Sequence, residues 1–411
     1  MKHFAILISF IILATAHTEA QQQTVSYKFY GFIRDELFYN SRKNAEGVDG
    51  LYHLYPLNRN PFGEGGKDLN AVPHGNFYAI ASRVGVDISG PMVGAAKLTA
   101  RMEADFTGSS STPFILYLRQ AFLKLTWSGG SSLQIGHAWH PLFGEVFPDV
   151  LDLSTGAPFQ PFNRSPLIKY SFDKDKLSLS LAAIWQVSSL SPGPDGKSNA
   201  YIKNSLLPEL FAGINYRSGG FLGGVGVEML SLSPRTEASP TGSSSKFRVD
   251  ERITTASLTA QAQYRRDKLF VAAKSLLASN LGHTSLLGGY GVSAVDPRTG
   301  QQDYTAQRHS TSWLDITYGS KWLGGLFLGY SKNLGTSKPL VGNAFYGTGY
   351  DIDRLLHLTA TFTYNLPHWK AGFEYSATTA HYGAVSLTTG KVSPGDPVTG
   401  HRLLGVIMYT F

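Results

Sequence analysis

Cysteine is missing from this chain altogether. That excludes disulfides, thiolate nucleophiles and cysteine-held metal or iron–sulfur sites. Charge is sparse as well: Asp, Glu, Lys and Arg make up 16% of the residues, against about a quarter in ordinary soluble domains. The formal balance of +7 is not gathered anywhere, because the longest basic cluster is the pair Arg265–Arg266. A nucleic-acid footprint needs a basic stripe or patch, so that class of partner is excluded. After the first twenty positions no stretch of 18 residues is both apolar and uncharged, which excludes a membrane-spanning helix. Catalytic signatures are also wanting. There is no Gly-x-Ser-x-Gly elbow, the turn GSK at 319–321 has no phosphate-loop context, and DPRTGQQD at 296–303 lacks the spacing of a calcium loop. His137 and His140 in HAWH sit three apart; on or beside a strand that spacing points them to opposite faces, with no third ligand at hand. The sequence therefore calls for no cofactor, no metal and no catalytic residue.

What is present is a leader and a ladder. MKHFAILISFIILATAHTEA has Lys2, then a ten-residue apolar stretch from Phe4 to Leu13, then small residues before Gln21. This is a signal-peptide pattern with cleavage after Ala20, and ten apolar residues are too few to span a bilayer. The remainder, 21–411, reads as one domain. Aromatics reach 12% and glycines number 44, a composition that suits an all-β protein with many side chains facing lipid.

Read with period two, the domain resolves into about sixteen strand-like segments. KLSLSLAAIWQV at 176–187 sets Leu177, Leu179, Leu181 and Trp185 against Ser178, Ser180 and Gln186, with Ile184 the one exception. ERITTASLTAQAQYRR at 251–266 alternates as cleanly. The connections between segments alternate too. Tight turns such as SGGS at 128–131, DKD at 173–175, SGG at 218–220 and NLPH at 365–368 are interleaved with long loops at 40–75, 139–164, 188–205, 233–248, 280–307, 334–352 and 381–399. Short turns at one rim and long loops at the other describe a transmembrane antiparallel up-and-down β-barrel, all-β and of about 16 strands, with the long loops extracellular and the short turns periplasmic. Trp127, Tyr216, Tyr264, Tyr318, Tyr364, Trp369 and Tyr409 beside short turns are candidates for the interfacial aromatic girdle.

In such a barrel the outward face meets lipid, so charges must point inward. AAKLTARMEADFTG carries Lys97, Arg101, Glu103 and Asp105 on one parity. With Arg34, Glu36, Arg83 and Arg119 they are expected to line water, because sixteen strands leave an aqueous channel. The loop 139–164 is rich in proline and phenylalanine and is expected to fold inward as a constriction. Its charges, Glu145, Asp149, Asp152 and Arg164, then face the arginines across the pore.

Six stretches support a family resemblance: YGFIRDELFYNSR, ASRVGVDISGP, KLTARMEADFTG, LRQAFLKLTW, IGHAWHPLFGEVFPDVLDLSTGAPFQPFNRSP and the closing aromatic strand that ends at Phe411. Together they resemble the DcaP-like outer-membrane porins, in the form found in Bacteroidota, densely over 25–170 and thinly afterwards. The resemblance implies a sixteen-stranded barrel in the bacterial outer membrane, often a homotrimer, with the third long loop folded inward. It implies passive diffusion of small polar, often anionic, solutes past basic wall residues, which fall here on Arg83, Arg101 and Arg119. Expected partners are outer-membrane lipid and lipopolysaccharide, two further copies of the chain, small solutes, and the barrel-assembly machinery through the strand ending in Phe411. Two other classes remain open on sequence. One is an accessory barrel with a blocked lumen inside a larger envelope complex. The other is an outer-membrane enzyme, for which His309, His357 and His381 beside Ser310, Asp353 or Ser376 would be the candidates.

Overall fold

The computed structural model describes residues 25–108 and 114–411; the leader and its cleavage point fall outside the described residues. Sixteen antiparallel strands close on themselves. In chain order they are β1 (Ser26–Asn40), β2 (His74–Tyr78, resuming as Arg83–Val93), β3 (Ala96–Asp105), β4 (Tyr117–Trp127), β5 (Ser131–Trp139), β6 (Arg164–Lys174), β7 (Leu177–Ile184) and β8 (Glu209–Ser218). They continue as β9 (Phe221–Leu232), β10 (Ile253–Arg266), β11 (Leu269–Ser279), β12 (Gln302–Gly319), β13 (Trp322–Thr336), β14 (Ile352–Leu366), β15 (Trp369–Val385) and β16 (Val392–Thr410). Closure is made by β1 on β16, in a register that sets Phe32 opposite Thr410 and Asn40 opposite Arg402. Phe411 completes it by exchanging backbone hydrogen bonds with Gly31 at 3.1 and 3.2 Å. Among the described residues the barrel sheet is left without a free edge, which is what lets strands cross lipid.

Alternation dictates which way each side chain points. On β10, Thr255, Ser257 and Thr259 are buried inside while Thr254, Ala256, Leu258 and Ala260 are exposed outside. On β7, Leu177, Leu179 and Leu181 are exposed and Ile184 turns inward, fully buried, as the break in its pattern foretells. Tyr216, Tyr264, Tyr318 and Tyr409 are exposed beside short turns, where a girdle belongs.

The second strand is interrupted at 79–82. The expected loops 280–307 and 381–399 are largely strand, because β12 starts at Gln302, β15 runs to Val385 and β16 starts at Val392. Gly288–Val295 adds a further pairing on β12. These strands outrun the period-two pattern because above the membrane both faces can be polar.

The core lies inside the barrel. Val146 and Phe159 of the loop 139–164 pack with Trp313, Phe327, Leu355 and Tyr382 of the wall, all at most 7% exposed. A hairpin inside the first long loop, Asn44–Gly47 with Tyr52–Pro56, joins them through Tyr55. A second inward loop was not expected.

Candidate functional site: the lumen and its loop

The wall holds the 139–164 loop by its backbone. Trp313 donates from Nε1 to Gln160 Oε1 at 3.0 Å. Asp315 accepts from the Asp149 amide at 2.8 Å, and Glu374 accepts from the amides of Leu151 and Asp152 at 2.7 and 3.3 Å. Lys274 donates from Nζ to the carbonyls of Leu142 and Phe143 at 3.0 and 2.7 Å, and Arg34 donates to the carbonyl of Leu151 at 2.6 Å. Charged groups buried this deeply need such partners, and the loop's irregular backbone needs them equally. Phe159 presses its ring onto Gly329 of β13, where an added Cβ would lie 2.5 Å from the ring.

Loop and wall are also pinned at the upper end. His140 and His283 each place Nε2 against one oxygen of Glu209, at 2.8 and 3.0 Å, all fully buried. Sequence reading set His140 and His137 on opposite faces with no shared site; the fold brings His140 beside a histidine 143 positions along, which no local spacing could signal. Three ligand-type groups within 4.8 Å would suit a divalent cation. However, the Leu142 amide donates to His140 Nδ1 at 3.1 Å. That nitrogen therefore carries no proton, and Nε2 does. Nε2 then donates to Glu209 instead of offering a lone pair to a metal. The group is a hydrogen-bonded clasp that ties the 139–164 loop to β8 and to the loop after β11.

Of the charges expected to line the pore, few meet water. Arg34 and Glu36 pair at 2.7 Å beneath Leu151. Arg119 bridges Glu103 at 3.1 Å and Asp105 at 2.5 Å, with all three side chains at most 5% exposed. Arg83 stands behind them at 3.6 and 3.9 Å from the same two carboxylates. Arg101 takes Asp87 with both ends of its fork, at 2.7 and 2.8 Å. Lys97 is exposed near the turn at 94–95. The expected free arginine wall is thus a compensated cluster. The reason is register: Arg83 lies opposite Asp105, and Asp87 opposite Arg101.

The loop charges are dispersed in the same way. Asp152 lies 3.1 Å from Arg402 on β16, and Glu145 pairs with Arg217 on β8. Arg164 belongs to β6; its guanidinium stacks 4.8 Å over Trp139, on the arginine side of the lumen and not opposed to it. The acids and arginines do not confront one another across open water.

Cavities border the loop, and two of them bear on passage. One of 410 Å³ lies between the loop and β4–β10 and is lined by polar groups such as Lys124, Gln134, Lys169, Asn215, Arg217 and Gln261. The other, of 480 Å³, lies where Arg83 and Arg119 meet Tyr52, Phe147 and Phe162. Trp139, Gly144 and Glu145 line both.

With fold and lumen described, likeness can be assigned. The fold is that of the outer-membrane porins. The outer-membrane channel DcaP of Acinetobacter baumannii superposes with a TM-score of 0.66 at 19% identity, over 96% of this chain and 100% of that one. The anion-selective porin from Comamonas acidovorans gives 0.56 at 10% identity, over 94% and 100%. Salmonella typhi OmpF gives 0.51 at 11%, over 94% and 97%. No family model matches, and no curated protein matches by sequence. The chain is a closed β-barrel of outer-membrane porin architecture.

The histidines considered for catalysis do not assemble. His357 sits between Thr378 and Thr359 at 2.7 and 2.6 Å, Asp353 is taken by Lys332 at 2.5 Å, and His309 is buried with neither ring nitrogen bonded. Among the described residues these groups form no acid–His–Ser chain.

Proposed function

We propose that the chain is a porin through which small hydrophilic solutes cross the outer membrane by passive diffusion, and that it works as a homotrimer without catalysis. The observation that carries this is the 410 Å³ polar cavity left between the inward loop and β4–β10 of a closed barrel. A plug would have no reason to keep one side of its lumen wet while packing the other side with Phe159, Trp313 and Phe327. The loop 139–164 acts as the constriction, because its backbone is fixed at several points to the far wall. The porin architecture shared with DcaP and the anion-selective porin supports the same reading. The earlier anion preference of Arg83, Arg101 and Arg119 is weak in this proposal, since each already has a carboxylate partner.

Planar-bilayer conductance with reversal potential in a salt gradient tests the proposal. Stable conductance steps are expected. A sample that keeps heat-dependent gel migration and a β spectrum yet never conducts would favour an accessory barrel, a reading that the two inward loops independently suggest.

A further inference from the structure

The lumen contains two kinds of ion pair. Arg119 with Asp105 is sealed, its side chains 4% and 1% exposed. Arg217 with Glu145 is open, its side chains 44% and 53% exposed. Pairs that stay in water are weak and exchange readily. Glu145 also stands where the two cavities meet. It follows Gly144, whose φ of +65° belongs to the left-handed region and whose absent Cβ would lie 2.9 Å from the Gln261 side chain. That conformation favours glycine, which gives the following carboxylate a pivot.

Around Glu145 the wall supplies more cation than the loop can neutralise. Lys124 and Lys169 both flank Gln134 in register on β4, β5 and β6. Among the described residues neither lysine has an ion pair within 4 Å. Asp173 is the one other acid on this cavity's lining. Between the cations the wall carries hydroxyls and amides: Ser132, Ser171 and Ser178, then Gln134, Asn215 and Gln261. A volume of 410 Å³ falls within the range of small-molecule sites, roughly 300–1,000 Å³.

We infer that Glu145 is a tethered stand-in for a solute carboxylate, and that Lys124, Lys169 and Arg217 form a binding site for small polyhydroxylated carboxylic acids of the sugar-acid class. The solute's carboxylate takes Arg217 from Glu145, its hydroxyls bond the serines and amides, and the released loop carboxylate turns about Gly144 to join the two cavities. A free carboxylate is the right head group because a carboxylate already occupies the place. The hydroxyl-rich lining separates this class from bare alkyl diacids, which would leave those groups unpaired. The inference rests on the channel reading.

The test is single-channel recording of the full-length protein in planar bilayers, with sodium glucuronate, glucose or sodium succinate added to one side. Glucuronate is expected to interrupt the current at about tenfold lower concentration than glucose, the size of one charge-assisted hydrogen bond, and also below succinate. Glu145→Gln should lower the half-blocking concentration of glucuronate severalfold. Arg217→Gln or Lys169→Gln should raise it; either variant suffices if the other does not fold. Glucuronate no better than glucose, or half-block unmoved in Glu145→Gln and in a folded cation variant, overturns the site. Equal block by succinate and glucuronate overturns the sugar-acid assignment. Absence of any conductance in salt alone fails the channel reading instead, and the two failures are distinct.

Discussion

The two sides of the lumen are built on opposite principles. From β11 to β16 the inward side chains include Trp313, Phe327, Leu355 and Tyr382, and the loop 139–164 lies on them as part of a hydrophobic core. From β4 to β10 the inward side chains include Lys124, Gln134, Lys169, Asn215 and Gln261, and the same loop touches that wall at Glu209, Arg217 and Phe211 but leaves a polar cavity beside it. One segment thus fills half of the barrel and bounds the opening of the other half. The difference teaches that inward does not mean wet. Strand parity decides only which side of the wall a residue faces; whether it meets water depends on what folds in against it.

The strongest way to break this asymmetry is to remove the filling. Shortening the loop between Pro148 and Pro158 deletes the amides held by Asp315 and Glu374 and the carbonyl held by Arg34. Single-channel conductance is expected to rise severalfold, and larger solutes should pass. Unchanged conductance in a folded barrel would place the constriction elsewhere.

Next in size is the sealed cluster at the junction of the two sides. Arg119→Met leaves Glu103 and Asp105 buried without their nearest cation. Removing one partner of a buried pair costs about 3–5 kcal/mol. Urea unfolding in detergent should show that loss, while ion selectivity changes little. Lys169→Met, on the wet side and without an ion-pair partner, should do the reverse. If both substitutions behaved alike, the distinction between sealed and open charge would be wrong.

A milder perturbation acts on packing alone. Gly329→Ala puts a methyl group into the ring of Phe159. Overpacking of a close contact costs about 1–3 kcal/mol, and the displaced ring should loosen the loop. Flickering of the open-channel current is the expected signature, with mean conductance nearly kept. A quiet channel would show that Phe159 does not anchor the constriction.

These contrasts also show what the sequence could and could not say. Leu179 and Leu181 against Ser178 and Ser180, and the alternation of SGG turns with long loops, carry barrel and orientation plainly, because lipid on one side imposes period two. The loop 139–164 was legible from Phe143, Phe159 and its prolines. The hairpin around Tyr55 was not, because polar neighbours such as Asn44 and His53 gave 40–75 no apolar pattern. Glu209 and His283 were illegible for another reason: they meet His140 only through the closed fold, 69 and 143 positions away. The charges of β2–β4 were seen as a group on one parity of their strands. Their pairing was missed, since it depends on which residue lies opposite which across two strands.

The smallest effect, and the sharpest test of that lesson, concerns Arg83 and Arg101. Counted as free cations they would dominate the ionic preference of the channel, because arginine keeps its charge at any relevant pH. In the fold Arg101 is held by both oxygens of Asp87, and Arg83 shares Glu103 and Asp105 with Arg119. Changing both arginines to Gln removes two positive charges and frees carboxylates already screened by near neighbours. The reversal potential in a salt gradient should therefore move only slightly toward cations, and less at higher ionic strength. Changing Lys124 and Lys169 to Gln removes the same formal charge, but from groups that face the open cavity without a counter-ion, and should move the potential further. Arginine changes that outweighed the lysine changes would mean that the permeation path runs along β2–β4, and that the cavity on β4–β10 lies off it.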